Sequence, residues 1–359
     1  MSILATLTAP ALAQAAAIWL GFVAGLFVLR IVVPGRVYAG QKLRDGTQQR
    51  YKLNGLRLMA ILAAVIGIGE WRHLWSLSTV NRLFWPLFAV ANGWAIVHTL
   101  YLYGAARRRG AAAGLSSLWL GPELNPALLG VDLKMFAYVP SLLGLWALNL
   151  SFAFAQRDAL GHVTGRMVLY QAFFTIYVIN YFQFEYGMLH TWDVIAENFG
   201  YMLVWGDYVL VPFFYSICGW FLVGYTAPLA IHELVALCVL FAVGFTLFRG
   251  SNQQKHQYKE HPERPIWGRA PETVGGRLLA SGFWGIGRKL NYTGELMVYF
   301  SWTLTTGFQS IVPYLLPLWL LGLFTHRAWR DDQRCRAKYG PLWDDYCARA
   351  RFRMIPFIY

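Results

Sequence analysis

Long apolar runs alternate with short polar segments along the chain, and this alternation determines the predicted elements. A helix that crosses a bilayer needs about 20 mostly apolar residues. The apolar runs, one of them short, cover residues 11–33, 56–70, 83–104, 141–156, 168–184, 199–224, 229–248 and 297–325. Depending on how the last run is divided, they predict about eight to ten helices. The predicted fold is therefore all-α, a polytopic integral membrane protein with about ten transmembrane helices.

The last apolar run contains its own breaks. Gly307, Pro313 and Pro317 fall inside it, where they would interrupt a continuous helix. Basic residues flank the run on both sides, so the positive-inside rule requires an even number of crossings between Arg288 and Arg327. We expect a hairpin of two short helices in this run.

Charge is distributed unevenly and indicates the topology. The chain has 359 residues, of which 57% are hydrophobic and 14% charged, and its net charge of +13 comes from 31 Lys and Arg against 18 Asp and Glu. The basic residues concentrate in 30–57, 107–109, 249–289 and 327–353. By the positive-inside rule these segments face the cytoplasm and the N-terminus lies outside. Because they connect predicted membrane helices, they favour this topology over nucleic-acid binding.

The start of the chain allows two interpretations. "LTAPALAQAAA" has the small residues of a signal-peptidase site, but no basic region precedes it and the apolar run continues to Leu29. We interpret this segment as the first membrane helix.

Cysteine and histidine usage does not favour a metal site. The four cysteines form no CxxC pair, so neither a disulfide nor a zinc site is expected. His256 and His261 resemble part of a histidine cluster, but the other six histidines are scattered singly. We expect no bound metal.

The chain is predicted to be one membrane-embedded domain, 1–359, with three regions of different character. Residues 1–110 are nearly featureless helices, 121–224 carry polar residues in apolar surroundings, and 249–359 are rich in charge and aromatic rings. No repeat of 20–50 residues is present. We expect function in the last two regions.

Residues 249–295 form a basic segment with many aromatic residues. Lys255 and Lys259 are four residues apart and would share a helix face, and five further basic residues follow up to Lys289. Such a cluster can neutralise a pyrophosphate or a ribose 2′-phosphate, or it can contact anionic lipid headgroups. The glycines of "SGFWGIG" do not follow the GxGxxG order and no βαβ unit surrounds them, which excludes a Rossmann domain.

The charged stretch after the last apolar run continues as a helix. Arg327, Asp331, Arg334 and Lys338 are spaced by four, three and four residues, so they line one helix face. Gly340-Pro341 would end this helix and start another that presents Trp343 and Tyr346. The charged face is either a surface ion-pair ladder or part of a binding site in which Asp331 positions arginines or bonds a carboxamide or ribose hydroxyl.

Polar residues lie within or beside the middle apolar runs. An ionisable group in the bilayer costs about 2.5 kcal/mol or more unless it faces protein or a cavity, so such residues are functional candidates. Glu185 and Asp193 also fit a short cytoplasmic loop between helices. The candidates are Tyr177, Asn180, Glu185, Asp193 and Asp207.

Six motifs in order resemble the sterol reductase family, which includes delta(14)-, delta(7)- and side-chain sterol reductases and the membrane domain of the lamin B receptor. The motifs are "VPGRVYAGQKLRDGTQQRYKLNGL", "GPELNPALLGVDLKMF", "YVINYFQFEYGMLHTWDVIAENFGYMLVWGDYVLVPFFYS", "RGSNQQKHQYK", "LLASGFWGIGRKLNYTGELM" and "HRAWRDDQRCRAKYGPLWDDYCARARFRMIPFIY". The resemblance implies about ten membrane helices, with NADPH held by the C-terminal half and a sterol in a neighbouring pocket.

The resemblance also assigns residues, motif by motif. Lys259 stands where the family usually has arginine, and further departures are "AYVPS" at 137–141, Asn180 and Glu185-Tyr186, all in the region that the resemblance gives to the sterol. The implied NADPH contacts are Lys255, Lys259, Trp284, Asn291, Arg327, Asp331 and Tyr346.

Reduction of an isolated alkene requires an acid, because such a double bond is a poor hydride acceptor until one carbon is protonated. Tyr177 is our first candidate for the acid, and Glu185 or Asp193 the next; packing or binding of the sterol hydroxyl is the alternative role of Tyr177. We expect delta(14) reduction, with a delta(7) or side-chain delta(24) bond as the alternative.

Two other classes of protein also fit parts of the chain. The tail resembles membrane isoprenylcysteine methyltransferases, which use S-adenosylmethionine, and the altered middle motifs are compatible with a non-catalytic sterol-binding protein. Besides a sterol and membrane lipid we expect no obligatory protein partner. We expect a bacterial inner-membrane protein, with the endoplasmic reticulum as the alternative location and the cofactor site facing the cytoplasm.

Overall fold

Helices account for most of the chain in the computed structural model, which describes residues 3–42, 46–111 and 114–359. The chain divides into two compact units, residues 1–226 and 227–359. The division falls between the predicted regions 121–224 and 249–359. Each unit is described by itself below.

The N-terminal unit contains eleven α-helices among its described residues. They are α1 (Ile3–Thr6), α2 (Ala9–Val32), α3 (Gly55–Trp71), α4 (Ser78–Arg82), α5 (Phe84–Arg108), α6 (Ser116–Leu120), α7 (Leu133–Leu160), α8 (Gly165–Gln183), α9 (Trp192–Ile195), α10 (Tyr201–Trp205) and α11 (Ile217–Leu222). A 3-10 turn, Glu185–His190, follows α8, and a π-helical segment, Gly206–Phe214, lies between α10 and α11.

The C-terminal unit is built on two long helices and several short ones. Its helices are α12 (Ile231–Glu260), α13 (Phe283–Ile286), α14 (Leu290–Thr303), α15 (Leu315–Tyr339) and α16 (Pro341–Arg349). The 3-10 turns Leu304–Thr306 and Val312–Tyr314 connect α14 to α15.

Several helices are long and apolar enough to cross a membrane. Among the described residues these are Ala9–Val32, Leu133–Leu160, Tyr201–Leu222 and Ile231–Glu260. The first begins at Ala9 and continues unbroken through the small-residue stretch that also resembled a cleavage site. The predicted runs 83–104 and 168–184 also correspond to helices, α5 and α8.

Three short hairpins correct the all-α prediction. They pair β1 (Arg36–Lys42) with β2 (Gln48–Leu53), β3 (Ala127–Leu128) with β4 (Val131–Asp132), and β5 (Thr273–Val274) with β6 (Leu278–Leu279). In β2 buried and accessible residues alternate, as expected for a strand with one face on protein. Tyr51 and Leu53 lie on that face and pack with Met135, Leu189 and Val194. The turn residues 43–45 lie outside the described part of the chain.

The last apolar run is broken where the sequence predicted. α14 ends at Thr303, and Gly307 has a φ of +66°, a conformation that favours glycine. Pro313 lies in the second 3-10 turn, and Pro317 lies in the first turn of α15, where proline is tolerated. The run therefore forms parts of two helices, although α14 begins earlier than the run, at Leu290.

Glycines allow α12 and α14 to pack closely. A Cβ at Gly244 would lie 2.7 Å from Met297 Cβ and 2.9 Å from Gly294 O. A Cβ at Gly294 would overlap the backbone of α12 at Gly244 and Phe248. Small residues of this kind bring helix backbones together in membrane proteins.

We expect Gly294→Ala to lower the melting temperature, because one added methyl group meets backbone atoms that cannot move aside. Overpacking of this kind costs about 1–3 kcal/mol. Gly322→Ala in α15 is the matched control, since nothing lies within 4 Å of its Cβ and alanine favours a helix. Thermal unfolding in detergent measures both, and equal melting temperatures for the two variants would contradict the account.

Candidate active site

Lys255, Trp284 and Tyr346 come together in the C-terminal unit from three different helices. Lys255 Nζ lies 4.3 Å from the centroid of the Trp284 ring, a cation–π contact. The Trp284 indole N–H donates to the carbonyl of Ser251 at 2.9 Å, and the Tyr346 hydroxyl donates to the carbonyl of Trp284 at 3.1 Å. α12 extends to Glu260, so Lys259 follows Lys255 on the same face one turn later.

Asp331 ties α15 to the segment before α14. It forms an ion pair with Lys289, and Arg334 donates to its Oδ1 at 2.7 Å. Burial alone would raise the pKa of this carboxyl, but the neighbouring cations, Lys289 first, hold it below its ordinary value. Asp331 is therefore ionised at neutral pH, and Lys255 lies within its electrostatic range.

The charged face of α15 makes ion pairs of two kinds. The helix runs through Arg327 and Lys338 and ends at Tyr339, where Gly340 has a φ of +56° before α16 begins at Pro341. The ion pair between Asp331 and Arg334 lies within the helix, three residues apart, whereas the ion pair between Asp331 and Lys289 is a tertiary contact. Arg327 is exposed one turn before Asp331.

Two buried polar atoms near these cations lack partners. Asn291 Oδ1 and Ser251 Oγ have no hydrogen bond in the part of the chain that the structure describes. Buried polar groups are normally paired, so each can take up a ligand group such as a carboxamide or a hydroxyl. Lys255, Lys259 and Arg327 are cations that can contact phosphates, so the residues present fit a phosphorylated dinucleotide.

Asp332 is a buried carboxylate that the sequence analysis did not select. Its oxygens lie 3.5 Å from Arg288 Nε and 3.2 Å from an Arg353 nitrogen, and the Trp343 indole N–H donates to it at 3.3 Å. Arg288 also donates to the carbonyl of Ala350 at 2.7 Å. This network fastens the C-terminal segment to the start of α14; the only sequence signal was the doubled aspartate of "RDD".

Replacing Asp332 by alanine should destabilise the protein by about 3–5 kcal/mol, because the buried Arg288 would keep its charge without a counterion and the partly buried Arg353 would lose its ion pair. Asp344→Ala is the matched control, since its pair with Arg336 is exposed and contributes less than about 1 kcal/mol. Chemical or thermal unfolding of both variants measures the difference. A similar loss of stability in both variants would show that the buried network stabilises the fold no more than an exposed ion pair does.

Tyr177, the first candidate acid, is buried in α8 of the N-terminal unit. Its hydroxyl lies 3.5 Å from the hydroxyl of Tyr181, which is long for a hydrogen bond, and the two rings are 5.0 Å apart. Neighbouring aromatic rings leave this phenol in dry surroundings.

Glu185 lies in the connection between α8 and α9, as the loop alternative anticipated. Arg30 donates to Oε1 at 2.9 Å, and the Gly55 backbone N–H donates to Oε2 at 2.8 Å. Arg30 also donates to Asn54 Oδ1 at 2.8 Å. Since both carboxylate oxygens accept hydrogen bonds and one carries an ion pair, this geometry favours a structural role for Glu185 over proton donation.

Asp193 lies in α9 on a segment held by a buried lysine. Lys134 is 1% exposed, and its ammonium donates to the carbonyls of Asp193 at 2.7 Å, Val194 at 3.2 Å and Glu197 at 2.7 Å. The Tyr138 hydroxyl lies 3.5 Å from Asp193 Oδ2. Lys134, which the sequence analysis did not select, therefore fixes the position of Asp193.

Asp207 is the second residue of the π-helical segment and is 9% exposed. It lies within electrostatic range of Asp193 and Lys134. π-Helical segments are rare and often accompany functional sites. From the sequence, Asp207 was a polar candidate in an apolar run and not one of the candidate acids.

Comparison with known proteins identifies the family. Residues 5–359 match the model of the "Ergosterol biosynthesis ERG4/ERG24 family". The chain belongs to this family of membrane sterol reductases. The resemblance stated from the motifs is thereby confirmed, the protein is an enzyme, and a sterol is its substrate class. The methyltransferase and non-catalytic alternatives are set aside.

Sterol reductases from distant organisms are similar over nearly the whole chain. A Delta(14)-sterol reductase of Arabidopsis thaliana is 38% identical over 338 residues, 91% of this chain and 91% of its own length. One from Methylotuvimicrobium alcaliphilum is 36% identical over 98% of this chain and 84% of its own length. "Delta(14)-sterol reductase TM7SF2" of Mus musculus is 34% identical over 95% and 84%.

The departures from the sterol reductase motifs lie beside the candidate acids. Tyr138, within "AYVPS", is the residue whose hydroxyl approaches Asp193. Asn180 is buried in α8, and its Oδ1 has no hydrogen-bond partner among the described residues. Tyr186 stacks on Tyr38 with the rings 5.7 Å apart.

Proposed function

We propose that this protein is an NADPH-dependent sterol reductase that saturates the delta(14) double bond. The observation that carries the proposal is the similarity to Delta(14)-sterol reductases of a plant, a bacterium and a mouse, at 34–38% identity over more than 90% of this chain. The proposal keeps NADPH as the cofactor and a sterol as the substrate.

The C-terminal unit is proposed to hold NADPH, which when bound supplies a hydride. Lys255, Lys259 and Arg327 neutralise phosphate groups, and the Lys289–Asp331 pair keeps its neighbours in a fixed arrangement. The Trp284 ring, held by the contacts of its indole N–H and carbonyl, offers a flat surface to a planar ring. Asn291 is proposed to bond the carboxamide or a ribose hydroxyl, and Tyr346 positions Trp284.

The N-terminal unit is proposed to supply the proton. Tyr177 is the first candidate, because it is a buried, proton-bearing phenol among aromatic rings, and its hydroxyl faces that of Tyr181 at 3.5 Å. Asp193 is the second, since the Lys134 ammonium holds its backbone carbonyl at 2.7 Å and so fixes its segment. Glu185 is the third, because its oxygens are already engaged.

The proposed setting is a single membrane-embedded domain with about ten transmembrane helices. The basic segments, including the cofactor site, are proposed to face the cytoplasm of a bacterial cell, or of a eukaryotic cell if the membrane is that of the endoplasmic reticulum.

Gas chromatography with mass spectrometry of sterols tests the function. The purified protein is incubated with NADPH and, separately, with sterols unsaturated at carbons 14, 7 and 24. Saturation of the delta(14) substrate alone is the expected result. Conversion only of the delta(7) or delta(24) substrate would contradict the bond assignment. Tyr138 and Asn180, which depart from the family motifs, would then be the first residues to replace by those of the family.

A further inference from the structure

A groove of about 250 Å³ lies beside α12, and none of the residues proposed to contact NADPH lines it. Gln253 and Gln257 are four residues apart and lie on one stripe of the helix, and His261, directly after its end, continues their spacing. Lys255 and Lys259 lie about 160° away around the same helix. Lys255 and Lys259 do not line the groove, and its opposite wall comes from Trp267 and Phe283, whose rings meet edge to face at 5.0 Å.

The position of the groove along α12 corresponds to a membrane surface. The apolar run of this helix ends at 248, and the groove begins within the next turn, at Gly250. Tyr258 lines it, and Trp267 is 62% exposed at its edge. Tyrosine and tryptophan concentrate at the level of lipid headgroups, where an apolar ring and a polar group are both satisfied.

The groove is lined by hydrogen-bond donors and by one permanently charged side chain, Arg264, and no carboxylate lines it. Arg264 is exposed and has no acidic partner in the part of the chain that the structure describes. In the same described part, the side-chain amides of Gln253 and Gln257 make no hydrogen bond. The nearest acidic side chains face histidines: Glu260 lies 3.3 Å from His256, and Glu263 lies 3.7 Å from His261. Such a set suits an anion with several acceptor oxygens.

We propose that this groove binds the phosphate of an anionic phospholipid headgroup. Arg264 contacts the phosphate through its planar fork, the Gln253 and Gln257 amides donate to the remaining oxygens, and Trp267 and Phe283 pack against the glycerol. At about 250 Å³ the groove is smaller than the roughly 300 Å³ at which pockets for drug-sized ligands begin, which suits a headgroup whose acyl chains stay in the bilayer. The site is independent of the sterol reaction.

Native mass spectrometry of the full chain in neutral detergent tests the proposal. The delipidated protein is titrated with phosphatidylglycerol, and in parallel with inorganic phosphate and with AMP. Phosphatidylglycerol is expected to bind, and Arg264→Gln should weaken it about tenfold or more, because a charge-assisted contact to phosphate is lost. Gln257→Glu should weaken it as well, by repulsion. Arg277→Gln, an exposed arginine outside the groove, should bind as the unaltered protein does.

Three results would overturn the proposal. Unchanged lipid affinity in both Arg264→Gln and Gln257→Glu, with melting temperatures that show intact folding, would remove the groove as the site. Binding of inorganic phosphate with the same dependence on Arg264, and displacement of the lipid by it, would assign the groove to a soluble phosphate ester. Tighter binding of AMP than of phosphatidylglycerol would assign it to a nucleotide. Sterol conversion measured on the same variants keeps this test separate from the reductase proposal.

Discussion

Lys255→Ala is expected to raise the KM for NADPH about tenfold or more while kcat at saturating NADPH falls much less. The substitution removes the ammonium that lies over Trp284 and within range of Asp331. A charge-assisted hydrogen bond to a phosphate contributes about 1.5–3 kcal/mol, which corresponds to roughly 10- to 150-fold in affinity. Initial rates of sterol reduction at varied NADPH concentration measure the two constants.

Lys42→Ala is the control for this prediction, because Lys42 is an exposed lysine in β1 of the other unit. It changes the net charge equally and should leave both constants unchanged. If Lys255→Ala also leaves KM unchanged, the cation cluster of the C-terminal unit does not bind the cofactor. The ion-pair network would then have only a structural role.

Tyr177→Phe is expected to lower kcat about a hundredfold or more and to leave the KM for NADPH unchanged. General acid catalysis contributes about 10²–10⁴ in rate, and phenylalanine keeps the packing of the ring while it removes the proton. Single-turnover conversion of the sterol, followed by gas chromatography, measures the chemical step directly.

Tyr170→Phe is the matched control, since it removes another buried phenol from the same helix. The Tyr170 hydroxyl donates to Asn149 Oδ1 at 2.6 Å, so its loss should lower stability with little effect on kcat. If Tyr177→Phe retains at least a third of kcat, the phenol packs or binds the sterol hydroxyl. Asp193→Asn would then be expected to show the large loss.

The helices could largely be predicted from local sequence signals. Apolar runs marked the membrane helices, and Gly307 with Pro313 marked the break before α15, because backbone preferences act within a few residues. The hairpin of β1 and β2 was missed. In its seven- and six-residue strands, hydrophobic and polar residue types alternate only weakly along the sequence. Tyr51 becomes buried through contacts with Met135 and Leu189, which are distant in sequence.

The candidate site could be predicted only in part, because its partners come from distant positions. The spacing on α15 placed Asp331 on a charged face, but nothing local indicated that Lys289 would be its partner. Similarly, Glu185 was selected as a polar residue in apolar surroundings, whereas Arg30, 155 positions earlier, occupies its carboxylate. The prediction of a single domain and the assignment of each NADPH contact stay predictions.

Isotope labelling during turnover shows which carbon receives the hydride and which receives the proton. The protein is given a delta(14) sterol with NADPH deuterated at the transferred position in ordinary water, and then unlabelled NADPH in D₂O. Protonation at carbon 15 leaves the more stable tertiary cation at carbon 14, so the account predicts deuterium from NADPH at carbon 14 and deuterium from water at carbon 15. A saturated product without label from NADPH, or no product at all, would contradict it.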